Sequence, residues 1–586
     1  MTESFIHFYS TFLFVPNFLL ALYLLYVIVF KIKNRTLYTI LLVASTFLIK
    51  LPGFYYNCYS GDETGWIACV RALTDNFNPY ISVDPTTSGI GSLIPLYLFN
   101  QIIHLNYFTI RIVETIMDLV TLFFTYKVLI SRLSGNKNIF YIAIMFLYGM
   151  LNLSFMREFN TYNTEHFCIL IFALLIYILN KLWIQYDASQ DKTSRTNISL
   201  NIAVAGLTLG FSLFVKLQNL PVMFMMFIFY VSFLLWKKKV MKTILFIAYC
   251  TIPLLLFLIF FWFKGSVHDF YIRYIVTNLE YADKGVVDAN SHGRPGLSLQ
   301  NIVEHSSFVF IEVFSCIFLS FCIIILCNLQ KIFNAFKTLG MFSIKKIFIY
   351  AYQYKFSILF VLIFAVTFYE VVKPKNFFDH YYLLFYQPLI LFFVCLMRLE
   401  VKRGVMVFIV MINLFFVCGK NYIYAENDIK DTPKYIPFKD MQYRCHFKSI
   451  FAANSEFENE IKQLDSLVAA THCDDKYIMV WGGSIRIYAY SKFLSAYRDI
   501  GNYHLLAHEG AIKKYYIDGF ISDLERNVKK DKFVLIEPSQ NQSSKGSRSF
   551  AEFVKENHLD NYFKSVKLEK AYSAYSFYTV ELNNWN

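Results

Sequence analysis

The sequence predicts a polytopic α-helical membrane protein of about twelve crossings, followed by a C-terminal α/β domain on the outer side of the membrane. Three observations carry that expectation. Of the 586 residues, 56% are hydrophobic, 19% aromatic and only 17% charged, with a mean hydropathy of +0.43, a composition rare in soluble domains. Apolar runs long enough to cross a hydrocarbon core of about 30 Å recur along the chain, and Lys and Arg gather in alternate short loops between them. Beyond about residue 420 the composition shifts abruptly to that of a mixed soluble domain. The net charge of +13 is then a consequence of topology, and no nucleic-acid partner is expected.

Taken in order, the first crossing runs from about Ser10 to Phe30, and Lys31, Lys33 and Arg35 after it read as cytoplasmic. The N-terminus carries no basic region ahead of this run, so a cleaved signal peptide is not expected. A short second crossing, from about Thr36 to Leu51, leads to an outer loop at 54–105 that holds Asp62 and Glu63. Ser92 to Phe99 within this loop reads as a helix lying in the interface. The crossing from about Tyr107 to Leu129 contains Arg111, Glu114 and Asp118 on one helical face, where they are expected to pair with one another. A crossing from about Ile139 to Phe155 reaches a second outer loop with Glu158 and Glu165.

Further apolar runs flank Lys216 to Pro221, an outer turn, before Lys237, Lys238 and Lys239 return the chain inside. Crossings are then expected at about Thr243 to Phe263, Val309 to Cys327, Phe356 to Val372, Tyr381 to Met397 and from about Val405, with Arg273, Arg294 and His380 on the outer side. The resulting division is a membrane bundle at 1–420 and an outer domain at 421–586. In the tail, Tyr477 to Gly483 and Lys532 to Pro538 read as strands, and helical periodicity appears from about Ser455 to Ala470 and Ala551 to Asn557. Of the 11 Cys, the outer ones permit Cys58–Cys69 and Cys445–Cys473 bridges, which the sequence neither requires nor excludes.

The chemistry is concentrated in the outer loops. Asp62 and Glu63 can either complement the dipole of a following helix or act as a base at the membrane boundary. Glu165 can likewise start a helix, and Lys216 can snorkel to the interface. Together with Glu158, His380 and possible contributions from Arg273 and Arg294, these groups offer carboxylates to take a proton and cations to hold a phosphate leaving group. That pairing suits transfer of a sugar from a lipid phosphate.

Asp62-Glu63, Arg71-Ala72-Leu73, Asn78-Pro79-Tyr80, a membrane helix opening with Arg111, and Glu165 directly before an apolar run resemble the GT-C membrane glycosyltransferases. Lys216 with Gln218, His380-Tyr381-Tyr382 before Pro388, and Val480-Trp481-Gly482 are compatible with that pattern. The nearest in pattern are the dolichyl-phosphate-mannose-protein mannosyltransferase-like and aminoarabinose lipid A transferase families. One departure is that the family reaches its acidic loop after a single crossing, whereas two are counted here.

The resemblance implies that Asp62, with Glu63 as the other candidate, is the base, that Glu165 or Glu158 is the second-loop acid, and that Lys216 and His380 hold the lipid phosphate. Tyr381 and Arg111 join them as candidate substrate-binding residues. It implies an inverting enzyme of a bacterial inner membrane that takes a polyprenyl-phosphate sugar to a glycan, lipid or protein acceptor. The first two outer loops contain no DxD motif, so no metal cofactor is assigned. Two other readings remain at this stage. A transporter or flippase would place binding groups near the midplane of related halves, and a polymerase or ligase would lean on outer-loop Arg.

Overall fold

The structure is a computed structural model that describes residues 61–133, 161–188, 194–284, 355–373, 379–395, 463–538 and 549–583, less a few positions inside those ranges, together with scattered positions at 43–54 and 143–151 and residues 404–405. In chain order the helices are α1 (Gly61–Asp75), α2 (Ile94–Asn100), α3 (Tyr107–Leu133), α4 (Thr164–Ala188), α5 (Ser194–Ser212), α6 (Leu220–Trp236), α7 (Val240–Phe263), α8 (Val267–Phe270), α9 (Thr277–Lys284), α10 (Lys355–Val372) and α11 (Tyr386–Cys395). The tail adds β1 (Tyr477–Val480), α12 (Arg486–Tyr490), β2 (Leu494–Ser495), α13 (Tyr503–Ala507), α14 (Gly510–Asn527), β3 (Lys532–Pro538), α15 (Phe550–Glu556), β4 (Phe563–Ala571) and β5 (Tyr575–Leu582). The chain divides into two compact units, one of residues 1–55, 111–256 and 295–447, the other of residues 56–110, 257–294 and 448–586.

Among the described residues three helices are long and apolar enough to cross a membrane: Thr164–Asp187, Leu217–Trp236 and Val240–Phe263. At about 1.5 Å per residue such lengths suffice for the hydrocarbon core. α7 exposes Met241, Leu255, Leu256, Trp262 and Phe263, an apolar surface that water would not tolerate and that lipid would. Along the expected crossing from Tyr381, the chain is a 3-10 helix over Asp379–Phe385 that continues directly into α11 at Tyr386. The expected crossings nearest the N-terminus and at 309–327 and beyond 405 lie outside the described residues, apart from isolated positions, so the figure of about twelve is not established.

Within the first unit, Leu175, Leu179, Met226, Tyr230, Leu359 and Ile363 belong to one buried core. α5 approaches α7 through Gly206 and Gly210, a small-residue pair one helical turn apart that lets backbones come close. A Cβ built at Gly210 would stand 2.1 Å from the Cys250 carbonyl oxygen, and one at Gly206 2.6 Å from the Tyr249 Cβ. Because backbone rather than a flexible side chain would have to yield at residue 210, Gly210→Leu is expected to lower the yield of folded, detergent-stable protein severely. Overpacking typically costs about 1–3 kcal/mol or more. A melting temperature equal to that of the unsubstituted chain would show that the two helices do not need this contact.

In the second unit the tail forms a five-stranded sheet in the order β2-β1-β3-β5-β4, with β1 parallel to β2 and β3, and β5 antiparallel to β3 and β4. Both strands expected from the sequence are there, β1 and β3. The continuous apolar run Phe533–Ile536 is fully buried, as a central strand covered on both faces requires. Tyr516, Phe520 and Leu524, four residues apart, give α14 a stripe that packs with Trp481, Phe550, Phe553 and Phe563 in the tail core. Ser549 and Glu552 close a reciprocal capping box at the start of α15. Residues 463–471 are helical, within the expected helix near 455–470.

The segment expected to lie in the interface belongs to this unit, as the short helices Ile90–Ser92 and α2. Cys69 and Cys473 are buried free thiols. Burial, reinforced by Asp84 and Asp499, pushes the Cys69 thiol far up, which removes it as a nucleophile. Their candidate partners Cys58 and Cys445 lie outside the described residues.

Candidate active site

Two groups of side chains, one in each unit, hold the residues singled out from the sequence. In the second unit, α1 opens with Gly61, so Asp62 and Glu63 occupy its first turn. A helix turns about 100° per residue, and the two carboxylates therefore part: Asp62 is exposed, whereas Glu63 is fully buried. Exposure leaves Asp62 reachable by a substrate, and burial gives Glu63 a structural environment.

The other motif residues near α1 have structural partners. Arg71 donates through Nη1 to the Tyr488 carbonyl and, at 2.6 Å, to that of Ser491. Tyr80 is buried with φ of +65°, a left-handed conformation costly for a bulky residue. Its carbonyl accepts from Arg498 Nη1 at 2.7 Å, and its ring meets Phe261 and Phe270 edge-on. Arg273, considered above for the outer-face site, is buried against Asp84 at 2.6 Å and lies over the Tyr516 ring at 4.6 Å. It is thus engaged within the fold.

In the first unit, Glu165 stands in the first turn of α4 and is fully buried. Its Oε1 accepts from Lys216 Nζ at 2.5 Å, and His380 Nε2 lies 3.9 Å from the same oxygen. The Tyr381 ring sits beneath the Lys216 ammonium, 4.9 Å away at the centroid, and meets the His380 ring edge-on. Four of the residues picked from sequence thus come together: Glu165, Lys216, His380 and Tyr381. Lys216 is buried rather than snorkelling, so its charge is held by a carboxylate and an aromatic face instead of water.

The turn carrying Lys216 is itself fixed. After Lys216 the chain makes the 3-10 helix Leu217–Asn219 and enters α6 with Pro221 in its first turn, where the missing N–H costs nothing. Gln218 Nε2 donates to the Glu370 carbonyl at 3.0 Å, the Val222 amide donates to Glu370 Oε1 at 3.0 Å, and Gln387 Nε2 donates to Asn219 Oδ1 at 3.1 Å. Glu370 and Gln387 were not anticipated, because a lone polar residue inside an apolar run gives no hint of which turn it will meet.

α3 supplies a second buried polar group in the same unit. Arg111, Glu114 and Asp118 are all fully buried on it, yet the cation facing both carboxylates is Lys50, at 2.5 Å from Glu114 Oε1 and 2.7 Å from Asp118 Oδ2. His166 Nδ1 is 2.8 Å from Asp118 Oδ1. The two carboxylates of α3 thus meet a cation from outside that helix. Donor atoms of Glu114, Asp118 and His166 lie within 4.8 Å of one another, a spacing compatible with a metal ion. The Lys50 ammonium already stands between the two carboxylates, so this set holds a metal only if Lys50 is displaced. Glu158 and Arg294 lie outside the described residues.

The fold matches a solved structure over most of the chain's length. It is similar to the crystal structure of ArnT from Cupriavidus metallidurans bound to undecaprenyl phosphate, at 10% identity and a TM-score of 0.50, with 93% of this chain and 98% of that one covered. The apo state of the same protein aligns over the same shares at 7% identity and a TM-score of 0.40. No family model matches the sequence, and no curated protein matches it.

Proposed function

We propose that the chain is a membrane glycosyltransferase that moves a sugar from a polyprenyl phosphate to an envelope glycan, lipid or protein on the outer face of a bacterial inner membrane. The observation that carries this reading is the buried ammonium of Lys216 beside His380, held by Glu165 on an aromatic face. A preorganised cation in an apolar bundle suits an anion that arrives on a lipid. The ArnT crystallised with undecaprenyl phosphate has the same fold, which supports a lipid-linked donor.

In this reading an acceptor hydroxyl or amine attacks the anomeric carbon and gives its proton to a base, the role that the resemblance in sequence assigns to Asp62. The bond from that carbon to the phosphate oxygen breaks, and its electron pair leaves with the polyprenyl phosphate. Lys216, with His380, neutralises the charge that grows there. Glu165 accepts from the ammonium and so fixes where the lysine points. Attack opposite the leaving group inverts the anomeric centre.

Chain reconstituted in nanodiscs should bind undecaprenyl phosphate and release it from a polyprenyl-phosphate sugar in the presence of acceptor membranes. Lys216→Ala should weaken both, with kcat/KM lower by about 10- to 100-fold, the range expected for losing a hydrogen bond to a charged group. The rise should appear mainly in KM if the ammonium binds ground state and transition state alike. Full activity of Lys216→Ala on every polyprenyl-phosphate sugar tried would refute the assignment of the phosphate site.

A further inference from the structure

Glu370 and Gln387 are each fastened by one polar atom and left open at another. Glu370 Oε1 accepts from the Val222 amide and the Gln387 amide nitrogen donates to Asn219, which fixes both planar groups. The remaining atoms, Glu370 Oε2 and Gln387 Oε1, are buried and have no hydrogen-bond partner, and the same holds for Thr367 Oγ1. The three side chains are at most 4% exposed.

Thr367 and Glu370 are three residues apart on α10, hence on one face of that helix. Asn219 and Val222, which tether Gln387 and Glu370, are likewise three apart, at the start of α6 and directly after Lys216. A buried acceptor without a donor is costly and rare in folded proteins. Two of these three side chains are anchored to one turn, and the third shares a helix face with one of them.

We propose that Glu370, Gln387 and Thr367 form a hydroxyl-binding subsite that receives the sugar of the lipid-linked donor, next to the phosphate held by Lys216. The proposal rests on the glycosyltransferase reading above. Its chemistry is that of a polyol: the amide oxygen accepts from sugar hydroxyls, and the Glu370 carboxyl and the threonine hydroxyl exchange hydrogen bonds with them. Tethering by the Lys216–Val222 turn couples the subsite to the phosphate clamp, so the two halves of the donor are read by one rigid turn.

The experiment uses the full chain in nanodiscs and measures binding of undecaprenyl phosphate alone and of undecaprenyl phosphate bearing glucose, mannose, galactose or aminoarabinose. The unsubstituted chain should bind one sugar-bearing lipid more tightly than the bare lipid. Glu370→Gln keeps the oxygen that accepts from Val222 but puts an amide N–H₂ in place of Oε2. It should lower affinity for the preferred sugar-bearing lipid by about 10- to 100-fold while leaving that for bare undecaprenyl phosphate unchanged. Thr367→Val, which removes only a hydroxyl and is nearly isosteric, should lower the same preference several-fold and serves if Glu370→Gln fails to insert.

An unchanged preference in both variants would mean that the open atoms hold only water and overturns the subsite. Equal loss for bare and sugar-bearing lipid would assign these residues to the phosphate or to packing, and also overturns it. A chain that binds bare undecaprenyl phosphate but no sugar-bearing form more tightly sinks the subsite alone, whereas a chain that binds no lipid phosphate sinks the glycosyltransferase reading with it.

Discussion

Asp62→Asn is expected to lower the rate of sugar transfer by about 10²- to 10⁴-fold, the span over which loss of a general base is usually felt, with folding and membrane insertion spared. The carboxylate is exposed in the first turn of α1, so little packing depends on it, and the amide preserves shape and much of the favourable interaction with the helix end while removing proton affinity. KM for the lipid donor should change little, because Asp62 acts on the acceptor. Glu63→Gln is the control: its side chain is buried, so its effect should appear first as lower stability and only then as lower activity. Normal turnover by Asp62→Asn together with an inactive but folded Glu63→Gln would place the base one residue later. Normal turnover by both would leave α1 a structural helix.

How far the sequence reached can be judged at these same residues. Alternating apolar and basic segments announced the bundle, and the runs at β1 and β3 announced the sheet, because both signals are local and periodic. Glu165, Lys216, His380 and Tyr381 were selected by residue type and by position at the ends of apolar runs, and they meet in one cluster. What sequence could not supply is pairing over long separations. Lys50 finds Glu114 and Asp118 across more than sixty positions, and nothing in the helical period of α3 points to it. Asp62 and Glu63 were indistinguishable as an adjacent pair of acids, since only the phase of α1 against its neighbours decides which is buried. Arg71 and Tyr80 carried the family resemblance, yet their visible work is to fasten α1 and the segment after it to tail residues, through the Tyr488 and Ser491 carbonyls and through Arg498.

That fastening leads to the second large effect. Asp523 accepts from Arg498 Nε at 2.7 Å and from Arg498 Nη2 at 2.5 Å, a two-pronged contact, and from Arg526 Nη2 at 2.8 Å. Arg498 in turn donates to Asp269 Oδ1 at 2.9 Å and to the Tyr80 carbonyl, while Arg526 donates to that of Ile81 at 2.9 Å. The second unit is therefore joined, among residues 80–81, 269 and 498–526, by a chain of largely buried charges. Burial would lower the Arg498 pKa, but Asp523, ahead of Asp269, more than offsets this and holds it above the usual range.

Removing Asp523 takes the two-pronged partner from Arg498 and leaves it Asp269 alone, and breaking a buried pair typically costs about 3–5 kcal/mol. Asp523→Ala should therefore destabilise the second unit by that order, seen as a lower denaturant midpoint in pulse proteolysis of the reconstituted protein. It should also reduce transfer activity, because the segment that follows α1 loses its anchor. Pairing it with Arg498→Met, which removes the guanidinium that has lost its two-pronged partner but keeps much of its length, should recover part of the loss, since the cost lies in the under-compensated charge more than in the missing bond. An Asp523→Ala chain as stable as the parent would mean that water reaches Arg498 and that the network contributes no more than surface ion pairs do.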